Sequence, residues 1–145
     1  MATGDVTVFD EAKAKMLDGD WASTDLFHCA ILDNTVAPTA ATATPVFGDF
    51  TEVGAAGSYV ANGTSLGALS TLVTEAAGVM TFDSGTNPTW AQHASNDADA
   101  WWGLIYNFTD AGKDALAFVE LGGPVDMSGG ALTITWATAG IFTIT

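Results

Sequence analysis

Arginine is absent from this chain. Lys13, Lys15 and Lys113 are its only permanently cationic side chains against 17 carboxylates, which leaves a formal net charge of -14 over 145 residues. Phosphate backbones are bound through lysine and arginine patches that displace condensed counterions, so composition argues against nucleic acid as a partner. The same shortage argues against nucleotide phosphates and anionic membrane surfaces. Cys29 is the only cysteine, which excludes an intrachain disulfide framework and a cysteine-based zinc site. Met1 to Asp10 has no basic stretch followed by an apolar core, so no secretory signal is expected and a reducing cytoplasm is the expected site of synthesis. Met127 to Thr145 carries no charge, but it is not a membrane helix by pattern. Leu132, Ile134 and Trp136 alternate with Thr133 and Thr135, and Gly129, Gly130 and Gly140 interrupt the run. Serine-hydrolase, zinc-protease and phosphate-loop motifs are all missing.

What is present is apolar substance: 48% hydrophobic and 10% aromatic residues, enough for one folded domain over 1–145. A short helix is expected around Phe9 to Leu17. Thr7 and Asp10 resemble a capping box, Phe9, Lys13, Met16 and Leu17 share one face, and Gly19 is the stop. So short a helix needs a docking surface, either its own domain or a neighbouring subunit, and 1–20 is read as an N-terminal helix or arm. Strand character begins at Asp25, and Leu26 to Leu32 is apolar on both alternating sets, as in a strand covered on both faces. Residues 34–57, rich in Thr, Ala and Pro at the start, lack periodicity and read as a variable contact loop. Further strands are expected at Ser58 to Ala61, Ser65 to Thr74, Gly78 to Asp83, Thr89 to Gln92, Trp101 to Phe108 and Ala115 to Leu121. The Gly122-Gly123-Pro124 break then precedes a last pair, Ala131 to Trp136 and Gly140 to Ile144. The fold class is mainly β: an antiparallel β-sandwich or jelly-roll-like barrel of about eight short strands with a short N-terminal helix.

Chemistry-bearing residues are few. His28 and Cys29 are adjacent, but neighbours on a strand point to opposite faces and cannot share a proton. His93 lies in a polar loop. Asp18-Gly19-Asp20 and Asn96-Asp97-Ala98-Asp99 lack the ligand spacing of a calcium loop and read as solvated turns. No catalytic residue, cofactor site or metal site is assigned. Trp101 and Trp102 are consecutive in a strand, so one faces each side. The outward ring would be covered by the domain itself, by a partner subunit, or by sugar, for which Trp101 or Trp90 is the candidate.

The run Trp102-Gly103-Leu104-Ile105-Tyr106-Asn107, then Asp114 to Gly123, then Ser128 to Trp136, and finally Ala139 to Ile144 resembles a group of small virion proteins of tailed bacteriophages. The layout of the N-terminal part is similar, and the likeness is weakest between Asn34 and Ser58. These are strand and turn signatures without an active site. The resemblance implies a non-enzymatic structural protein on the capsid exterior, a decoration or cement protein whose partners are the major capsid protein and further copies of itself, as a trimer. A tail or tail-fibre component and a carbohydrate-binding module are the alternatives. Val6, Phe9, Phe47, Phe50 and Trp101 are the candidate contact residues. A strongly acidic protein is consistent with an outward-facing position on a DNA-filled particle and with steering toward cationic capsid patches.

Overall fold

The computed structural model describes residues 4–144. Its centre is the strand Ala100–Asn107 (β7), flanked antiparallel by Leu26–Leu32 (β2) and Ala115–Val125 (β8). Val6–Val8 (β1) and Thr64–Ala68 (β3) complete a five-stranded sheet in the order β1-β8-β7-β2-β3. Ala30 lies opposite Leu104, and Leu104 opposite Phe118, so apolar side chains run in rows across the sheet. Nearly every residue of β2 and β7 is buried. Uninterrupted apolar runs of this kind require cover on both faces.

Different parts of the chain supply the two covers. On one face Phe9 packs against Phe118 at 4.9 Å and Phe50 at 6.0 Å between ring centroids. On the other, Gly103 gives room to the C-terminal segment, since a Cβ there would lie 2.6 Å from Ile134 Cδ1. Phe27 meets Trp21 and Phe82 edge to face, and Phe82 in turn stacks on Phe142 at 5.1 Å. These rings join the main sheet to a three-stranded sheet, Phe142–Ile144 (β10), Val79–Phe82 (β5) and Val73–Ala76 (β4), ordered β10-β5-β4. Thr89–Trp90 (β6) and Leu132–Thr133 (β9) form a third, two-stranded sheet. The expected mainly β, antiparallel sandwich-like fold is the fold observed, with ten strands rather than about eight among the described residues.

The N-terminal helix is Asp10–Asp18 (α1), closed by Gly19 in the left-handed conformation at φ 75°. Its expected capping box does not form. Thr7 belongs to β1, opposite Phe118, so Phe9 takes the cap position without a side-chain bond and Asp10 pairs with Lys13 instead. Ser58 to Ala61 is a turn region rather than a strand. Ser65 to Thr74 breaks into β3, a single helical turn Leu69–Leu72 (α2) and β4. The Gly122-Gly123-Pro124 break lies inside β8: a Cβ on Gly123 would come within 2.5 Å of the Ala100 carbonyl, so glycine is what lets β8 run on past the irregular register at Trp101 to reach Val125. The two C-terminal strands do not pair with each other; β9 pairs with β6 and β10 with β5.

Residues 34–57 are fastened to the body. The Asp33 N–H donates to the Thr51 carbonyl and the Val53 N–H to the Ile31 carbonyl, while Phe47 and Ala115 exchange main-chain bonds with Lys113 and Pro45. A 3-10 turn, Phe47–Asp49, is closed by the Asp49 carboxylate accepting from the Val46 N–H.

Two glycines separate conformational strain from steric collision. Gly63 and Gly78 both have left-handed φ, 68° and 81°. A Cβ at Gly63 would sit 2.0 Å from the Cys29 carbonyl oxygen, whereas one at Gly78 meets nothing within 4 Å. Gly78→Ala should therefore cost only the left-handed penalty, about 1–2 kcal/mol, and Gly63→Ala at least about 2 kcal/mol more, in the range of severe core lesions. Denaturant unfolding of the two variants checks this, and equal losses would contradict it.

Candidate functional site

Helix α1 settles where its apolar face goes. Phe9 and Ala12 are fully buried against the domain, but Met16 is only half-buried and Leu17 is 88% exposed. The residues expected to form one stripe are thus divided between the core and the surface. Beside Met16 and Leu17 opens a groove of about 1030 Å3, lined by residues of α1, β1, α2, β4, β5 and β10. Met80 on β5 and Ile144 on β10, each 42% exposed, line it together with Leu17. Exposed large apolar side chains occur singly on most proteins; three gathered round one concavity are the form an interaction surface takes.

The cations at this groove are already engaged. Lys15 Nζ donates to Asp114 Oδ2 at 2.6 Å, and the Trp21 indole N–H donates to the same oxygen. The Asp114 hydrogen bond outweighs desolvation and raises the lysine pKa, so Lys15 is held in its charged form. Lys13 is paired with Asp10 at 2.8 Å in an exposed helical pair, an arrangement worth little in stability.

A second cluster gathers polar and aromatic groups on another part of the body. Asn62, at φ 72°, accepts the Tyr106 hydroxyl at its carbonyl, contacts His28 Nδ1 at 3.1 Å through the same oxygen, and accepts Lys113 Nζ at its side-chain oxygen. Glu52 Oε1 takes the Tyr59 hydroxyl and the Asn62 N–H. Lys113 lies 5.3 Å from the Phe47 ring centroid and 5.2 Å from that of Phe108. Phe108 stacks on His28 at 4.0 Å and Phe47 on Tyr106 at 4.4 Å. Burial drives both tyrosine phenols well above their ordinary range. Cys29 is fully buried, its thiol pushed up to about 12 by desolvation. Protonated phenols, an inert thiol and a stacked imidazole make this network a fastening for residues 45–63; His28 and Cys29 project to opposite faces as expected.

The five candidate contact residues are scattered. Val6 lines the groove. Phe9 and Phe50 are core residues with almost no surface to offer a partner. Phe47 belongs to the Lys113 cluster. Trp101 is partly buried against the core, its indole N–H donating to Asp99 Oδ1, and Trp90 is buried. Trp90 thus has no ring face open for stacking on sugar, whereas Trp101 keeps part of its ring accessible. Asn96, beside two acidic neighbours, is a buried organiser whose amide donates to the Ala91 and Met127 carbonyls. Among the described residues no group of three or more His, Cys, Asp or Glu is placed to hold a metal ion. Sequence reasoning missed Met80, Ile144 and the exposed end of α1. The signal available in the sequence was an apolar stripe on a helix too short to stand alone, which left open whether the domain or a neighbour covers it.

His28 gives a pH dependence with a definite sign. Burial lowers its pKa, Lys113 adds to the lowering, and the Asn62 carbonyl opposes it. The native state therefore binds fewer protons than the unfolded chain. The stability this contributes is present above the ordinary imidazole value near pH ~6.5 and is lost as pH falls through the lowered native value. Thermal unfolding followed from about pH 7.5 down to about pH 5.5 should show a decline that His28→Gln flattens; an unchanged slope in the variant would contradict the assignment. A second contrast concerns two equally buried tryptophans. Trp102 donates its indole N–H to Asn34 Oδ1 at 3.0 Å, whereas Trp136 Nε1 is buried with no partner among the described residues. Trp102→Phe should cost about 0.5–1.5 kcal/mol more than Trp136→Phe, because only the first loses a hydrogen bond, its acceptor on the exposed Asn34 passing to water, while the second removes a buried donor that has no partner among the described residues; equal costs in denaturant titration would refute this. Comparison with protein-family models, with curated proteins and with solved structures finds no match to this chain.

Proposed function

We propose that this chain is a non-enzymatic structural subunit of a tailed-phage virion that docks on the outer surface of the major capsid shell and reinforces the head, with the apolar groove beside α1 as its docking face. The observation that carries the reading is Leu17. A leucine left 88% exposed on a helix too short to stand alone, beside a large apolar groove, marks the surface on which a partner completes the packing. Full burial of Leu17 would be worth about 1.5–3 kcal/mol, and that of Met80 and Ile144, each already more than half covered, about half as much, before the cost of association is subtracted. The net charge of -14 without arginine supports a partner whose contact surface is cationic and a position away from packaged DNA. The mechanism is mechanical: subunits bridging neighbouring shell proteins oppose outward pressure by adding buried area across their joints. Self-association as a trimer at threefold positions of the shell is part of the same proposal.

Leu17→Glu separates docking from folding. The substitution lies on open surface, so the melting temperature should stay within a few degrees of the parent, while the amount of this chain in purified particles should fall at least about tenfold. Immunogold labelling of parent virions should mark heads. Normal incorporation of the variant would overturn the groove as docking face, and label confined to tails would replace the capsid reading with a tail component.

A further inference from the structure

We propose that the groove receives an extended segment of a different protein, which adds as a strand beside β10 and carries cationic residues on either side of its apolar stretch; this rests on the reading of the groove as the docking face. Two observations lead there. The first is the sheet edge. Among the described residues β10 is the outer strand of β10-β5-β4, and all three of its residues line the groove. An outer strand offers main-chain donors and acceptors along its open side, and strand addition satisfies them while alternate side chains of the incoming segment find pockets. Leu17 and Met80 are the apolar surface available to those side chains.

The second observation is charge. Lys13 and Lys15, the cations at the groove, are paired with Asp10 and Asp114. Asp18 follows Leu17 directly on α1 with its residue exposed, and Glu75, also exposed, lies opposite Met80 in the β4–β5 register. The charge left over around the apolar surface is therefore negative, and the complementary occupant is flanked by lysine or arginine. A second copy of this chain is a poor source of such flanks. It has no arginine, and its remaining lysine, Lys113, is committed to Asn62 and two aromatic rings.

Three synthetic peptides provide the test: an alternating Val-Thr segment flanked by lysine pairs, the same segment flanked by glutamate pairs, and the lysine form with proline at its centre. Each is titrated into the full chain at low salt, with backbone amide shifts followed by NMR. The expected result is saturable binding of the lysine form, about tenfold or more tighter than the glutamate form, with the largest shifts at Leu17, Met80 and Thr143. The proline form, unable to supply a ladder hydrogen bond, should lose binding. Equal affinity for the two flanks, shifts elsewhere on the molecule, or no binding of the lysine form at millimolar concentration overturns the proposal. So does sedimentation showing that the chain alone forms an oligomer in which the β10 amides are protected, since the occupant is then a second copy. Failure of the docking reading is separate: Leu17→Glu entering particles normally overturns the docking face whatever the peptides do, whereas loss of incorporation with no peptide binding overturns strand addition alone.

Discussion

A central sheet that is apolar on both faces sets the terms for the rest of the molecule. In β7 the run Ala100 to Asn107 leaves only Trp101 partly accessible, and β2 beside it is buried from Cys29 through Leu32. A strand of this kind is stable only where both of its faces are sealed, and a chain of 145 residues has little left over for sealing. Phe9 at the head of α1, Phe50 at the end of the 3-10 turn, and Ile134 and Phe82 from the C-terminal half each serve as part of a cover. The covers come from distant stretches of sequence, and where α1 and the three-stranded sheet fail to meet, the groove remains. Its apolar walls are the exposed margins of the elements that close the core.

Cations follow the same economy. Lys15 is tied to Asp114 beneath Trp21, Lys113 to Asn62 between two rings, and Lys13 to Asp10 on the helix. The first two hold distant segments together: α1 against the start of β8, and the Asn62 turn against the hairpin after β7. With all three lysines engaged internally, the charge left on the surface is predominantly that of carboxylates. An acidic shell round an apolar groove favours a partner of opposite charge, and the strength of that preference falls with ionic strength.

Much of the fold was legible because its signals are local. Leu26 to Leu32 and Trp101 to Phe108 announce themselves as strands by largely apolar content on both alternating sets, and Gly19 as a helix stop. What escaped depends on tertiary partners. Val6 to Val8 is too short to signal a strand and is one only because β8 lies beside it. Gly122-Gly123 reads as a turn by composition, yet it lies within β8, where Gly123 admits the Ala100 main chain at close range. The candidate site was least legible. Phe9 and Phe50 are large and apolar, which identifies them equally as contact or core residues, and only the three-dimensional arrangement assigns them to the core. Leu17 carries the opposite lesson: it belongs to the same helical stripe as Phe9, but the helix rests on Phe9 and Ala12 and turns its far end outward.

The central claim is that the surface between Leu17 and Ile144 is completed by another protein in the assembled particle. A cryo-electron microscopy reconstruction of the virion tests it directly. The account predicts continuous density from a neighbouring protein running along β10 and covering Leu17 and Met80, on the outside of the head. A reconstruction in which this chain is bound through another face while the groove stands open to solvent would contradict it.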